Sequence, residues 1–166
     1  LVVTAKGATD RTGVTLKADL AGARGANLRA SGRVPFDTSA PLSIEASGDA
    51  DLSLANAWLG ATGERATGRL SLVAKVTGTV SSPRVAGQGT IRDGFFRSPA
   101  AGLELRSINA RFEGSERRIV LTSLEAKAPN GGTVSARGNV TLDQAAGYPV
   151  DLSVSARKAQ LVATDL

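Results

Sequence analysis

The fold of this chain is decided most clearly by residues 68–78, GRLSLVAKVTG. Apolar residues stand at positions 70, 72, 74 and 76, and polar residues fill the positions between them except for Val73. A period of two sends successive side chains to opposite faces of a β-strand. The stretch therefore predicts a strand with one apolar face and one face in water.

The same alternation recurs on both sides of this stretch. The apolar positions that share it are Val14, Leu16, Ala18 and Leu20; Leu28 and Ala30; Leu42, Ile44 and Ala46; Val134, Ala136, Val140 and Leu142; and Val150, Leu152, Val154 and Ala156. Turn-forming residues separate the runs at positions 22–25, 81–83, 93–94, 129–132 and 147–149. We expect an all-β fold, an antiparallel meander of about ten strands joined mostly by tight hairpins.

One segment departs from this period. Residues 53–59, SLANAWL, place their larger apolar side chains on one helical face. Asp51 or Ser53 would serve as the N-cap and Gly60 as the C′ residue, so we expect a short helix that covers an open end of the sheet. The expected organisation is a single β-sheet fragment of a longer repetitive protein, with N-terminal strands in 1–50, the helix in 51–60 and C-terminal strands in 67–166.

The composition of the 166 residues restricts the function. The chain has no Cys and no His, which removes disulfides, the usual zinc sites and His-dependent nucleophile systems. Its net charge is +5, yet the cations are scattered among acids and the six aromatic residues form no stacking platform, so we expect no nucleic-acid partner. We predict no enzyme, no cofactor and no metal site.

An apolar sheet face must be buried against something. Small apolar residues, with glycine at in-phase positions such as Gly87, Gly89 and Gly138, suit a strongly curved sheet with a narrow, taco-like apolar trough. A two-sheet sandwich with a filled core is the alternative that the pattern leaves open. In the trough interpretation the lining residues that bind lipid or protein strands are Leu70, Leu72, Val76, Leu105, Leu121, Val134, Val140, Leu142, Leu152 and Val154.

An ordered series of short motifs carries a family resemblance. The series is GRLSLVAKVTGTVSSPRVAGQG at residues 68–89, IRDG at 91–94, GLELRSINA at 102–110, IVL at 119–121 and GGTVSARGNVTL at 131–142. The DLSL and WLG elements at 51–54 and 58–60 precede it. In this order the series resembles the repeat-rich body of TamB/AsmA-like proteins, as an internal segment of a TamB-type subunit of the translocation and assembly module.

The resemblance implies a location and partners that composition does not show. Proteins of this family are anchored in the inner membrane of Gram-negative bacteria and cross the periplasm. They work with TamA-like outer-membrane barrels in autotransporter assembly, and relatives are linked to phospholipid transport between the two membranes. The family supplies no catalytic residues.

Two functions stay open at this point. The first is shielding of phospholipid acyl chains during transfer between the inner and outer membranes, with support of outer-membrane protein assembly. The alternative is a chaperone-like scaffold that binds unfolded outer-membrane β-strands by edge augmentation together with a TamA-like barrel. A structural spacer is disfavoured because tight hairpins replace the parallel coils of passenger solenoids.

Overall fold

A computed structural model describes residues 2–22, 26–60, 63–143 and 145–159 of the chain. Its elements are β1 (Val2–Thr9), β2 (Gly13–Ala21), β3 (Asn27–Pro35), β4 (Ser43–Asp51), a 3-10 helix (Leu52–Ala55), α1 (Asn56–Leu59), β5 (Arg65–Gly78), β6 (Pro83–Ser98), β7 (Leu103–Glu116), β8 (Arg118–Lys127), β9 (Thr133–Thr141) and β10 (Val150–Arg157).

The ten strands form one sheet in sequence order from β1 to β10, and every neighbouring pair is antiparallel. The sheet is an open meander and does not close into a barrel. The predicted all-β meander of about ten strands is therefore confirmed, and the sandwich alternative is wrong because these strands belong to one sheet. We call the end where β5, β7 and β9 begin the lower end, and the end where they finish the upper end.

The strand register sorts the side chains into two faces. Directly paired residues in antiparallel strands share a face, and Ala18, Ala30, Ala46, Ala74 and Gly87 are paired in that order from β2 to β6. We call the face that carries this row the apolar face. The intervening residues, mostly charged or hydroxyl-bearing, form the polar face.

Among the described residues, no second layer of strands lies over the apolar face. The chain exposes 10840 Å² of surface, whereas a compact protein of its mass, 16.9 kDa, exposes about 7,700 Å². Where the structure describes burial, six of the nine buried apolar residues are alanine, and no large side chain falls below 2% exposure. A sheet without a facing layer accounts for both observations.

Curvature shields the apolar face in part. Leu72 and Val73 are neighbours in β5, a strand with a partner on each side. Val73, on the polar face, is 60% exposed, whereas Leu72 on the apolar face is half-buried. Since both positions are flanked by two strands, the difference shows that the sheet bends towards its apolar face.

The best-buried part of the apolar face lies at the lower end of β7 to β9. Ile108, Ala126 and Val134 form a small core there. Phe96, Leu105, Leu124 and Ala159 pack against it. This core lies at the lower end of β7 to β9, and buried Ala110 and Ala136 extend it into the next row of the apolar face.

Asp93 and Gly94 do not form the turn that the sequence predicts. They lie inside β6, where the register with β7 shifts on either side of Gly94. Asp93 and, opposite on β7, Ser107 both have φ of 50°, which marks bulges. Because each of the two strands has one extra residue there, Ile91 and Phe96 both lie on the apolar face, although one position is odd-numbered and the other even-numbered.

The predicted helix exists as a 3-10 turn followed by the single turn α1. The Asp51 carboxylate accepts the Ser53 N–H at 2.8 Å, which confirms the predicted N-cap. Gly60 has φ of −62° and continues the right-handed conformation, so its predicted C′ role is wrong. The side chain of Trp58, predicted to help cover the sheet, lies outside the described part of the structure.

Candidate functional site: the apolar sheet face

Nine of the ten predicted lining residues lie on strands β5 and β7 to β10, and the register places them on one face. Leu142 is the exception. It follows the end of β9, where its N–H donates to the Arg117 carbonyl at 2.7 Å. The structure therefore brings together most of the predicted surface but places Leu142 in the turn between β9 and β10.

Paired residues form continuous rows that cross the strands. One row runs through Leu72, Gly89, Phe112, Leu121, Gly138 and Leu152. The row below it runs through Leu70, Ile91, Ala110, Leu124, Ala136 and Val154. Each row crosses six strands without a charged residue, so an apolar guest lying across the strands meets hydrocarbon throughout.

The predicted residues differ in accessibility along these rows. Val134 is 5% exposed and belongs to the lower core, so its predicted role as an accessible lining residue is wrong. Leu70, Leu72, Val76, Leu121 and Val140 are half-buried. At the β10 edge, Leu152 and Val154 are 55% and 56% exposed. The accessible site thus extends from the middle of the sheet to β10.

Glycine occupies two positions of the apolar face where a Cβ would overlap a neighbouring strand. Gly87 has φ of 144°, and a Cβ there would overlap the Val73 backbone of β5. Gly89 differs, because the Phe112 ring covers it. The Gly87 position thus excludes a side chain through the neighbouring backbone, whereas at Gly89 an aromatic ring fills the space.

Several apolar-face residues were not among the predicted lining set. They are Ile44, Val85, Ile91, Phe96, Phe112 and Ile119, all half-buried. Ile44 follows the plain alternation and could have been chosen from it. Ile91 and Phe96 could not, because the bulge between them changes which parity faces inward.

The polar face carries exposed ion pairs, above all near the upper end. Arg33 contacts Asp10 at 2.8 Å, and Lys75 contacts Glu45 at 2.8 Å. The Thr12 backbone N–H first, and then the Arg33 guanidinium, hold the pKa of the Asp10 carboxyl well below its usual value. Lys75 likewise lowers the pKa of Glu45, through a hydrogen bond and its charge. These pairs lie at the solvent-facing surface and are separate from the apolar face.

Two features of other functional classes are absent from the described ranges. Among residues 2–22, 26–60, 63–143 and 145–159, no group of three or more His, Cys, Asp or Glu could hold a metal ion. No helix within those ranges has the length and apolar character needed to cross a bilayer.

No family model matches the chain, and no curated protein or solved structure matches it. The resemblance to TamB/AsmA-like proteins stays a prediction from the sequence motifs.

Proposed function

We propose that this chain is a non-enzymatic segment that shields the acyl chains of phospholipids on its apolar face during their transfer between two membranes. The observation that carries the proposal is the pair of uncharged rows across six strands of a sheet that has no covering layer among the described residues. A protein that only needed a stable fold would bury such a face under a second layer.

The energetics suit a carrier surface. Each CH₂ group of an acyl chain that stays exposed to water costs about 0.8 kcal/mol of transfer free energy. Neighbouring strands are about 4.8 Å apart, so the six-strand rows from β5 to β10 extend about 24 Å. One acyl chain spans about 15 Å, half of a bilayer core, and fits within a row. Because the rows offer no polar anchor, a guest can shift along them.

The cellular setting of the proposal rests on the sequence resemblance. We place the segment in the periplasm of a Gram-negative bacterium, as part of an inner-membrane-anchored protein of TamB type. Its proposed partners are phospholipid, a TamA-like outer-membrane barrel and unfolded outer-membrane proteins, including autotransporters. No catalytic step belongs to the proposal.

Native mass spectrometry of the protein purified from bacteria tests acyl binding. We expect co-purified phospholipid on the wild-type chain and its loss in Leu152→Arg, which puts a charge on the exposed β10 part of the apolar face. Ser153→Arg, on the polar face of the same strand, is the matched control and should keep its lipid. Wild-type protein without bound lipid, or equal loss in both variants, would overturn the proposal.

A second candidate is binding of unfolded β-strands, and the edge strand β10 favours it. Val150, Leu152 and Val154 are 66%, 55% and 56% exposed there, and among the described strands β10 pairs only with β9. An incoming strand would extend the sheet by hydrogen bonding to the free edge. Ala156→Pro should then abolish capture of an unfolded outer-membrane strand while lipid binding persists, because the even-numbered residues of β10 direct their N–H groups to the free edge and proline has none.

A further inference from the structure

We propose that the lower end of the polar face docks on an anionic phospholipid surface through a row of cations that we call the basic belt. The belt consists of Arg65, Arg97, Arg106, Lys127 and Arg157, on strands β5, β6, β7, β8 and β10. It is separate from the apolar face and does not depend on acyl binding.

The register brings the belt residues together in two groups, and Glu104 lies directly opposite Arg97 between them. Arg65 is paired directly with Arg97, and Arg106 with Lys127. Lys127 and Arg157 are both paired with Thr133 of the strand between them. Like charges directly opposite in a sheet repel each other. An external anion relieves that repulsion, which gives such an arrangement a preference for a negatively charged partner.

The belt has few internal counterions. Glu104 contacts Arg106 at 2.6 Å, and Glu64, next to Arg65, accepts a hydrogen bond from Ser98 at 3.0 Å. Arg65, Arg97, Lys127 and Arg157 make no ion pair or side-chain hydrogen bond within the part of the chain that the structure describes. All five cations are exposed. Five cations against Glu64, Glu104 and Glu125, which lies near Lys127, leave the belt with a local charge of about +2.

The upper end of the sheet provides the contrast. Arg33, Lys75, Arg84 and Arg117 each have a carboxylate within 3.7 Å or less there. A carboxylate therefore balances each of these four cations locally. Arg65, Arg97, Lys127 and Arg157 of the belt have no such contact among the described residues, which leaves them open to an external anion.

A depression of about 570 Å³ lies beside Lys127, Thr133 and Arg157. Ser107, Asn109, Ser135 and Ser155 also line it, together with one acid, Glu125. Hydroxyl and amide groups next to two cations match the hydrogen-bonding needs of a phosphate oxygen. The belt extends about 24 Å across the strands, so it meets several headgroups at once, and a lipid surface suits it better than a single soluble ion.

Co-sedimentation with vesicles tests this docking. The probes are vesicles of phosphatidylcholine alone and vesicles in which one third of the lipid is phosphatidylglycerol. The wild-type chain should bind only the second kind, and less at higher salt. Lys127→Gln combined with Arg157→Gln should weaken partitioning about 30-fold, since each cation near an anionic surface contributes a factor of about five.

The matched control is Lys17→Gln combined with Arg118→Gln, which removes the same charge from the polar face outside the belt; Arg118 and Lys127 lie at opposite ends of β8. It should change binding less than threefold. Equal weakening by both double variants would show that only net charge matters. Equal binding to the neutral vesicles would show that anionic headgroups are not needed. Either result would overturn the belt proposal. The belt variant should keep the phospholipid seen by native mass spectrometry, so failure of acyl binding and failure of docking give different results.

Discussion

Gly89 of β6 is paired directly with Phe112 of the neighbouring strand β7, and the Phe112 ring occupies the space where a Cβ on Gly89 would lie. The ring covers a stretch of backbone that would otherwise be bare on the apolar face. Gly89 interrupts the run of larger apolar residues in the sequence, yet the Phe112 ring makes it a well-packed position of the apolar face.

The Gly89–Phe112 contact predicts a specific loss of stability. Gly89→Ala forces the ring away and should cost about 1–3 kcal/mol, the usual cost of overpacking. Gly7→Ala is the control, since a Cβ at Gly7 meets only ordinary contact with the Thr15 carbonyl. Chemical denaturation measures both variants. If Gly89→Ala is as stable as Gly7→Ala, the ring is not packed on Gly89.

The connection between β4 and β5 depends on Asn56. Its side chain donates to the Ala66 carbonyl at 2.9 Å and accepts the Ala66 N–H at 2.8 Å. Asn56→Ala removes both bonds and should destabilise this region by about 1–3 kcal/mol. Hydrogen exchange should become faster around Ala66, while the amides of β8 and β9 keep their protection. Uniformly faster exchange through the sheet would contradict a local clamp.

Acid should weaken the turn between β1 and β2. Because the folded state lowers the pKa of Asp10, its carboxylate contributes stability that is complete above the unfolded pKa, about 3.9. That contribution is lost as the pH falls through the lower folded pKa. Thermal midpoints measured between pH 6 and pH 3 should therefore fall more for the wild type than for Asp10→Asn. Parallel curves for the two proteins would show that Asp10 does not contribute.

A charge on the apolar face should not unfold the sheet where that face is accessible. Val140 is half-buried on β9 beside Val150, which is 66% exposed. We expect Val140→Asp to keep its far-ultraviolet circular dichroism and lose binding of a fluorescent fatty acid. Thr141→Asp, next to Val140 on the polar face of β9 and opposite Arg118, should keep both. An unfolded Val140→Asp would show that this row is a sealed core.

Much of the fold could be predicted from the alternation itself. The pattern at Leu70, Leu72 and Val76 assigned strand, period and face correctly, and Asp51 marked the start of the helix. The bulges at Asp93 and Ser107 could not be predicted, because no distinctive motif marks them. A single residue in the left-handed region is enough to change which alternate positions lie on the apolar face. The sealed position of Val134 depends on packing with residues distant in sequence, which local patterns do not encode.

The most direct test of acyl shielding compares two neighbouring positions of β5. A photoreactive amino acid is placed at Leu72, on the apolar face, or at Val73, on the polar face, and the protein is irradiated in living bacteria. The account predicts phospholipid adducts from position 72 and none from position 73. Adducts in equal yield from both positions, or none from position 72 in folded protein, would contradict it.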